Sequence, residues 1–524
     1  MKKRSFMLNA FFLTSATLIA RVIGIAFRVY MSNKIGSEGI GLYQLISTIY
    51  MFAATFATSG ISLAVTRLVT DSIAKKEYRT AKIAISRCFY IGVVLSSIVG
   101  IVMFVYSEAL SVYILHDTRA ILSLKILAPS LPFMSISACF RGYFFAVRQV
   151  IKTASEQLFE QIIEILIFSC LIGFFLPKGI EYACCSVVIG TTVAEILSCF
   201  YSYFIYKKDI LKCNNFEISN KKEIYKKIAF IALPVTASSS LRSGLSTVEN
   251  ILIPAGLQKS GESSQKSLAG YGLISGMVMP VITFPSVFLF SFALLLIPEM
   301  SEANAVDHKR NINYIVTRVF YITLIYSIMI SGIFLFFSND FGLSIYGSSE
   351  SGALMSILAP LIPLMYLDGV VDAILKGLNE QLHYLSYNII DSILRVIFIF
   401  ILLPIYGLKG LIIVMFFSTI LNSFLSMNRL IKVTELKVKI IDWLLKPVAA
   451  IVVSCFALNA IFSYEIFEFS SITYKLILEI LLAVLFYIFI LFISGSINNE
   501  EFNWIKSYFK RDKIIIQKKI VSNC

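Results

Sequence analysis

The chain has 524 residues, of which 57% are hydrophobic and 15% charged, and its mean hydropathy is +0.81. A water-soluble domain of that make-up would expose bare hydrocarbon, so composition excludes a soluble globular protein. Basic residues exceed acidic ones by 14, but they gather in alternate connections between apolar runs, which marks membrane orientation and not nucleic-acid binding.

Apolar windows of about 20 residues, the length of a membrane-crossing helix, recur in chain order at 6–33, 42–69, 85–106, 121–147, 157–176, 182–206, 228–257, 271–298, 314–337, 353–376, 384–404, 408–430, 446–463 and 474–495. Helix-length runs, in place of roughly ten-residue strands of alternating polarity, predict an all-α polytopic membrane protein and exclude a β-barrel. The first run follows Lys2, Lys3 and Arg4 and has the look of a secretory signal peptide. Apolar sequence resumes beyond Arg21, so the segment is expected to stay as a first span. Lysine and arginine then cluster at 75–82, 148–152, 207–227, 309–310, 432–446 and 506–519. These connections fall on one side of the fourteen spans, which places both termini in the cytoplasm of a multi-pass plasma-membrane protein.

Two internal matches imply a duplication. Leu127-Ala128-Pro129-Ser130-Leu131-Pro132, at the head of the fourth span, recurs as Leu358-Ala359-Pro360-Leu361-Ile362-Pro363, at the head of the tenth, an offset of 231. The first and seventh spans carry charge pairs of the same seven-residue spacing, Arg21/Arg28 and Arg242/Glu249, at an offset of 221. Repetition of a six-helix unit gives two parallel lobes. The expected division is an N-lobe at 1–206, a basic cytoplasmic linker at 207–227, a C-lobe at 228–432, an extra helix pair at 433–500 and a basic cytoplasmic tail at 501–524.

Charge inside lipid costs several kcal/mol unless it faces a polar cavity or a partner, so residues of this kind mark a route for charge. Arg21 and Arg28 are seven residues apart, on one face and about 10 Å apart along the axis. A guanidinium stays charged when desolvated and donates in a planar fork, which suits a phosphate or pyrophosphate. Arg21, Arg28 and Arg242 are therefore candidate substrate-binding residues, with Arg67 at the end of the second span as a fourth. Glu249, Glu195, Asp368 and Asp372 are candidates for a coupling proton or ion. Glu156, Glu160 and Glu164 stack like charges along one helix face, an unfavourable arrangement unless basic partners or protons intervene; Arg148 and Lys152 are near in sequence. Arg141 and Arg148 leave the fourth span toward the basic side, and Asp391 and Arg395 have i,i+4 spacing.

No catalytic constellation is present in the sequence. His116, His308 and His383 are scattered over connections, so neither a metal cluster nor a Ser-His-Asp arrangement is supported. The nine cysteines form no even framework and lie mostly in apolar runs, so neither disulfide nor metal is expected. Gly256 to Gly261 is followed by Glu262 and not by lysine, which rules against a nucleotide cradle, and no cofactor is implied.

With charged spans and repeat established, the chain resembles the polysaccharide-transporter branch of the MOP (multidrug, oligosaccharidyl-lipid, polysaccharide) exporter superfamily, and looks most like its stage V sporulation protein B group, relatives of the lipid II flippases. The residues that carry the resemblance are Ala20-Arg21-Val22-Ile23-Gly24 with Arg28, Gly36-Ser37-Glu38-Gly39-Ile40-Gly41-Leu42-Tyr43-Gln44, Ser59-Gly60-Ile61-Ser62 leading to Thr66-Arg67-Leu68-Val69, and the two Leu-Ala-Pro-x-x-Pro segments. The resemblance implies two six-helix lobes around a cationic cavity, two further helices, and alternating access that carries an undecaprenyl-pyrophosphate-linked saccharide outward, with H⁺ or Na⁺ as the candidate coupling ion. Among sporulation members the task is cell-wall synthesis in the spore cortex. An acidic residue that the flippases use early in the second span has no match, since Leu42 and Tyr43 stand there and Glu38 lies just before. Competing readings are a multidrug or cation antiporter of the same superfamily, which paired arginines disfavour; a membrane-embedded glycan polymerase, which the short outer connections disfavour; and a non-transporting scaffold of a cell-wall complex.

Overall fold

The computed structural model describes residues 2–75, 77–210, 221–305, 309–436, 440–463 and 471–496. Among them every regular element is helical. In chain order they are α1 (Lys2–Ala74), α2 (Tyr78–Val105), α3 (Ser107–Ala109), α4 (Ala120–Leu127), α5 (Ser130–Ala146), α6 (Val150–Phe175), α7 (Ile180–Ile210), α8 (Lys221–Lys259), α9 (Ser264–Tyr271), α10 (Met279–Thr283), α11 (Ser286–Ala305), α12 (Lys309–Phe336), α13 (Ser338–Tyr346), α14 (Ser349–Leu358), α15 (Ile362–Gly377), α16 (Gln381–Thr434), α17 (Lys446–Ser463) and α18 (Ile472–Ile493).

Ten helical stretches are long and apolar enough to cross a membrane, and the bent pair α4 and α5 makes eleven. Two of the ten are of double length, α1 with 73 residues and α16 with 54. At 1.5 Å per residue they would run roughly 110 Å and 80 Å, against a hydrocarbon core of about 30 Å. Each contains one glycine outside helical geometry, Gly36 (φ 71, ψ 178) and Gly407 (φ 55, ψ −134), so each is two crossings joined at that residue. Residues 264–305, where the eighth span was expected, form α9, a π-helical turn at Gly272–Val278, α10 and α11. That broken segment completes the fourteen.

The two proline motifs do not open their spans. Each breaks one: α4 ends at Leu127 and α5 resumes at Ser130 with a 43° bend, while α14 ends at Leu358, Ala359–Leu361 is a 3₁₀ turn, and α15 resumes at Ile362. Proline has no N–H and its ring crowds the preceding turn, so the hydrogen-bond ladder is interrupted where the motif falls. Both copies break at the same point.

By internal contact the chain divides into two compact units, Met1–Met277 with Ser392–Leu411, and Val278–Asp391 with Ile412–Cys524. In the first, the second half of α1 runs through the core. Leu42, Leu45, Ile46 and Ile49 pack with Leu124, Leu127, Leu131 and Val188. Further along, Ile61, Val65 and Val69 pack with Ile85, Cys88, Cys139, Ile224 and Ile228. Near Gly36 the backbone of α1 lies against the start of the π turn: a Cβ on Gly41 would sit 2.0 Å from the Leu268 carbonyl oxygen, and one on Gly272 would sit 2.1 Å from that of Ser37. Small residues at a helix contact allow that approach. In the second unit, buried tyrosines donate to helix carbonyls, Tyr366 to Ile282 (2.6 Å) and Tyr487 to Ile325 (2.9 Å), each burying a ring without orphaning its hydroxyl. Cys88, Cys139, Cys184, Cys185, Cys199 and Cys455 are buried free thiols and Cys170 is an exposed one. Cys213, Cys524 and His308 lie outside the described residues.

Candidate functional site: charges within the apolar helices

The first half of α1 presents its apolar side to α6. Phe27 is buried and meets Phe168 edge-to-face at 5.5 Å, and Met31, one turn on, is buried too. Arg21 and Arg28 lie about 100–120° round the helix from Phe27, and both are exposed. Arg28 is close enough to Tyr43 and Glu164 to act on both electrostatically. Arg67 near the end of α1 and Arg242 in α8 are exposed as well. Two residues beyond Arg242, Gly244 faces the ring of Phe52 on α1. Among the described residues, no carboxylate stands within ion-pair reach of Arg21, Arg28, Arg67 or Arg242. No contact among them brings the four together; what they share is exposure.

The acidic candidates are placed otherwise. Glu249 receives the Arg395 guanidinium, Nη1 to Oε1 at 3.0 Å, a pair between α8 and α16 within the first unit. In the second unit Asp372 is paired to Lys376 at 2.6 Å, one turn away, and Asp368 accepts from the Asn422 side-chain amide at 2.9 Å. Asp391 accepts from the Ser418 hydroxyl at 2.7 Å. Glu195 is buried, 5% exposed, and belongs to a charged cluster made by α5, α6 and α7.

That cluster joins residues that the sequence shows only separately. Arg141 of α5 turns inward, its Nη1 3.1 Å from Oε1 of Glu156, a carboxylate 1% exposed. It thus supplies a basic partner to the glutamate ladder of α6, from a helix whose nearness no local spacing reveals. Glu160 and Glu195 are near enough to act on one another electrostatically, and Glu164 accepts from Thr191 Oγ1 at 2.7 Å. At the Gly36 joint of α1, Arg119 bridges Glu38 and Asp117, each at 2.7 Å. Hydrogen bonding to Asp117, and then to Glu38, outweighs burial and tightens the hold of that guanidinium on its proton. Among the described residues no group of three or more histidine, cysteine or acidic side chains is arranged to hold a metal ion.

A bundle of long apolar helices, broken at glycine and at proline and with exposed guanidiniums among them, defines a polytopic helical membrane protein. Within that class the chain belongs to the polysaccharide biosynthesis protein family, which matches it over residues 6–304. It is 27% identical over 478 residues to stage V sporulation protein B of Bacillus subtilis (strain 168), covering 90% of this chain and 92% of that one. The lipid II flippase MurJ of the same organism is 22% identical over 420 residues, with 74% and 76% covered. Among solved structures, MurJ in an inward closed conformation superposes with a TM-score of 0.68 at 16% identity, over 96% of this chain and all but 1% of the other. An inward-facing multidrug resistance MATE family transporter gives a TM-score of 0.61 at 13% identity, over 80% of this chain and 100% of the other.

Proposed function

We propose that the chain is a flippase that moves an undecaprenyl-pyrophosphate-linked saccharide, a peptidoglycan precursor of the lipid II kind, from the inner to the outer leaflet of the plasma membrane by alternating access, in cell-wall or spore-cortex synthesis. The observation that carries this reading is the exposure of Arg21, Arg28 and Arg242 in apolar helices with no carboxylate in ion-pair reach among the described residues. An exposed guanidinium at mid-span is tolerable only against water or an anion. A diphosphate supplies the anion, accepting forked hydrogen bonds from arginine, while its polyprenyl tail stays in lipid and its glycan in water. Arg67 extends the same positive character toward the basic side. The names of the relatives, a lipid II flippase and a sporulation protein, support the substrate class and setting, and exposed arginines in the apolar helices disfavour the cation antiport of the multidrug members.

The test is reconstitution in liposomes with lipid-linked saccharide diphosphate, scored by exposure of the headgroup to an impermeant probe. Wild type is expected to translocate it, and Arg21→Ala and Arg242→Ala to lose at least tenfold in rate, about 1.4 kcal/mol in barrier for each tenfold. Parental rates in both variants sink the assignment.

A further inference from the structure

We propose that the second unit carries, at its basic end, a binding site for a phosphate-bearing anion, in a cavity between the start of α12 and the ends of α11, α15 and α16. Every described residue that lines the cavity belongs to that unit. The site therefore uses none of Arg21, Arg28, Arg67 and Arg242, which belong to the first unit, and it does not rest on the flippase reading.

The cavity holds about 530 Å³, within the range of small-molecule sites and ample for a phosphate with a further group attached. One wall is α12, where Arg310, Asn313, Tyr314 and Thr317 follow the i, i+3, i+4, i+7 spacing of a single helix face. Ile315, Val316, Val319 and Phe320 of the same helix are buried, so a polar stripe stands against an apolar one. The other walls are tied to this one by side-chain amides. Asn313 Nδ2 donates to the carbonyls of Thr434 (2.8 Å) and Glu435 (3.1 Å) at the end of α16. Asn304 of α11 donates to the Leu378 carbonyl (3.4 Å) just past α15, and Ser301 Oγ to that of Gly377 (3.0 Å). Thr317 Oγ1 in turn donates to Asn313 Oδ1 at 3.3 Å, which fixes the amide that spans the gap. Four helix ends thus frame a built recess.

The charges of the lining are mostly of one sign. Lys309, Arg310 and Arg318 line the cavity, and Glu435 is the one carboxylate among the described lining residues. Lys309 and Arg310 are exposed and, among the described residues, enter no ion pair. The bias toward basic residues in cytoplasmic connections accounts for these two as charges. It does not account for Arg318, which lies nine residues into α12, about 14 Å along the axis from Lys309. There, inside an apolar run, a guanidinium is costly unless it borders a polar cavity or a partner. Arg318 is half-buried and lies over the Tyr314 ring at 5.4 Å, which holds its plane at the wall. Lysine and arginine are donors only, and the planar guanidinium fork matches phosphate oxygens. Basic recesses between helices at the cytoplasmic face suit phosphorylated headgroups for this reason. A phosphate reaches such a recess either on an acidic lipid or free in the cytoplasm; the chemistry is shared, and the test separates the sources.

The experiment follows acetylation of Lys309 by an N-hydroxysuccinimide ester, read by peptide mass spectrometry, on the full chain in vesicles opened by freeze–thaw. Lys226, exposed in the first unit and also in a basic connection, is the internal control. In one arm, phosphatidylcholine vesicles receive inorganic pyrophosphate or sodium chloride of equal ionic strength. In the other, phosphatidylcholine vesicles are compared with equal parts phosphatidylcholine and phosphatidylglycerol. Lys309 is expected to react several-fold more slowly in at least one arm while Lys226 is unmoved: protection by pyrophosphate identifies a free ligand, protection by phosphatidylglycerol a lipid one. Protection in neither arm, or equal slowing at Lys226, overturns the site. Arg310→Gln with Arg318→Gln should abolish the protection, and Arg21→Ala with Arg242→Ala should retain it; the reverse of either result overturns the assignment. Should the glutamine pair fail to accumulate, Arg310→Gln alone, at an exposed position, must weaken the protection, and undiminished protection overturns the proposal equally.

Discussion

At Arg141 and Arg21 the same side chain does opposite things for the molecule. Arg141 is held against a carboxylate that is 1% exposed, and removing one member of a buried pair leaves the other uncompensated, at a cost of about 3–5 kcal/mol. Arg21 and Arg242 touch no carboxylate and are exposed, and such substitutions usually stay within about 0.5 kcal/mol. We therefore expect Arg141→Ala to lower the detergent melting temperature and the yield of folded protein markedly, and Arg21→Ala and Arg242→Ala to leave both near wild type. Adding Glu156→Gln to Arg141→Ala should recover part of the loss, and a double-mutant cycle should give a coupling of about 0.5–3 kcal/mol. A melting temperature unchanged by Arg141→Ala would show that the pair holds nothing. The sequence marks these residues as charges in apolar runs but does not separate them, because separation depends on which helix lies alongside. Arg395 makes the point: its i,i+4 spacing from Asp391 is visible in the sequence, whereas the reach of its Nη1 to Glu249 on α8 is not.

Among the elements, α1 and α16 owe their division into two crossings to one backbone conformation each. At Gly36, φ 71 with ψ 178 is a region open essentially to glycine alone, and no neighbour lies within 4 Å of where a Cβ would be. Strain and not crowding is therefore what a side chain would meet there, about 1–3 kcal/mol. Gly36→Ala should lose that much in equilibrium unfolding and should not be rescued by trimming neighbours. Gly41 has the reverse problem, since its Cβ would collide with the backbone of α9 at 2.0 Å. Gly41→Ala should force α1 and α9 apart at about 1–3 kcal/mol of overpacking. Crosslinking between cysteines placed at Ser37 and Leu268 should fall in that variant, and unaltered crosslinking would show that the close approach is dispensable. Apolar run length makes both crossings of α1 visible in the sequence; the joint does not show there, because a Gly-x-x-Gly-x-Gly stretch announces flexibility without saying which glycine turns. The proline motifs are legible as a repeat and misleading as helix starts, since proline suits a first helical turn and a helix break equally well in one dimension.

For the whole molecule, what the sequence displays best is what lipid enforces everywhere at once, namely long apolar helices with their backbone groups satisfied internally. Hence fourteen crossings are countable from hydropathy, and the helical breaks within them are not. Sidedness follows from the same physics through the placement of lysine and arginine, and it can be tested independently of any transport assay. Lys259 closes α8 and stands over the ring of Phe400, whereas Lys221 opens the same helix 38 residues earlier. At 1.5 Å per residue the two ends are roughly 57 Å apart, more than a bilayer with its headgroups, so one helix carries a probe site on each side. The alternation of basic connections assigns Lys221 to the cytoplasm and Lys259 to the outside. In a cysteine-free background, Lys259→Cys is expected to react with a membrane-impermeant maleimide added to intact cells, and Lys221→Cys only after permeabilisation. Reaction in the opposite order would invert the topology. The basic connections would then face outward, and inner-to-outer flipping by the exposed arginines would have to be abandoned even if the helices and the cationic residues all stood.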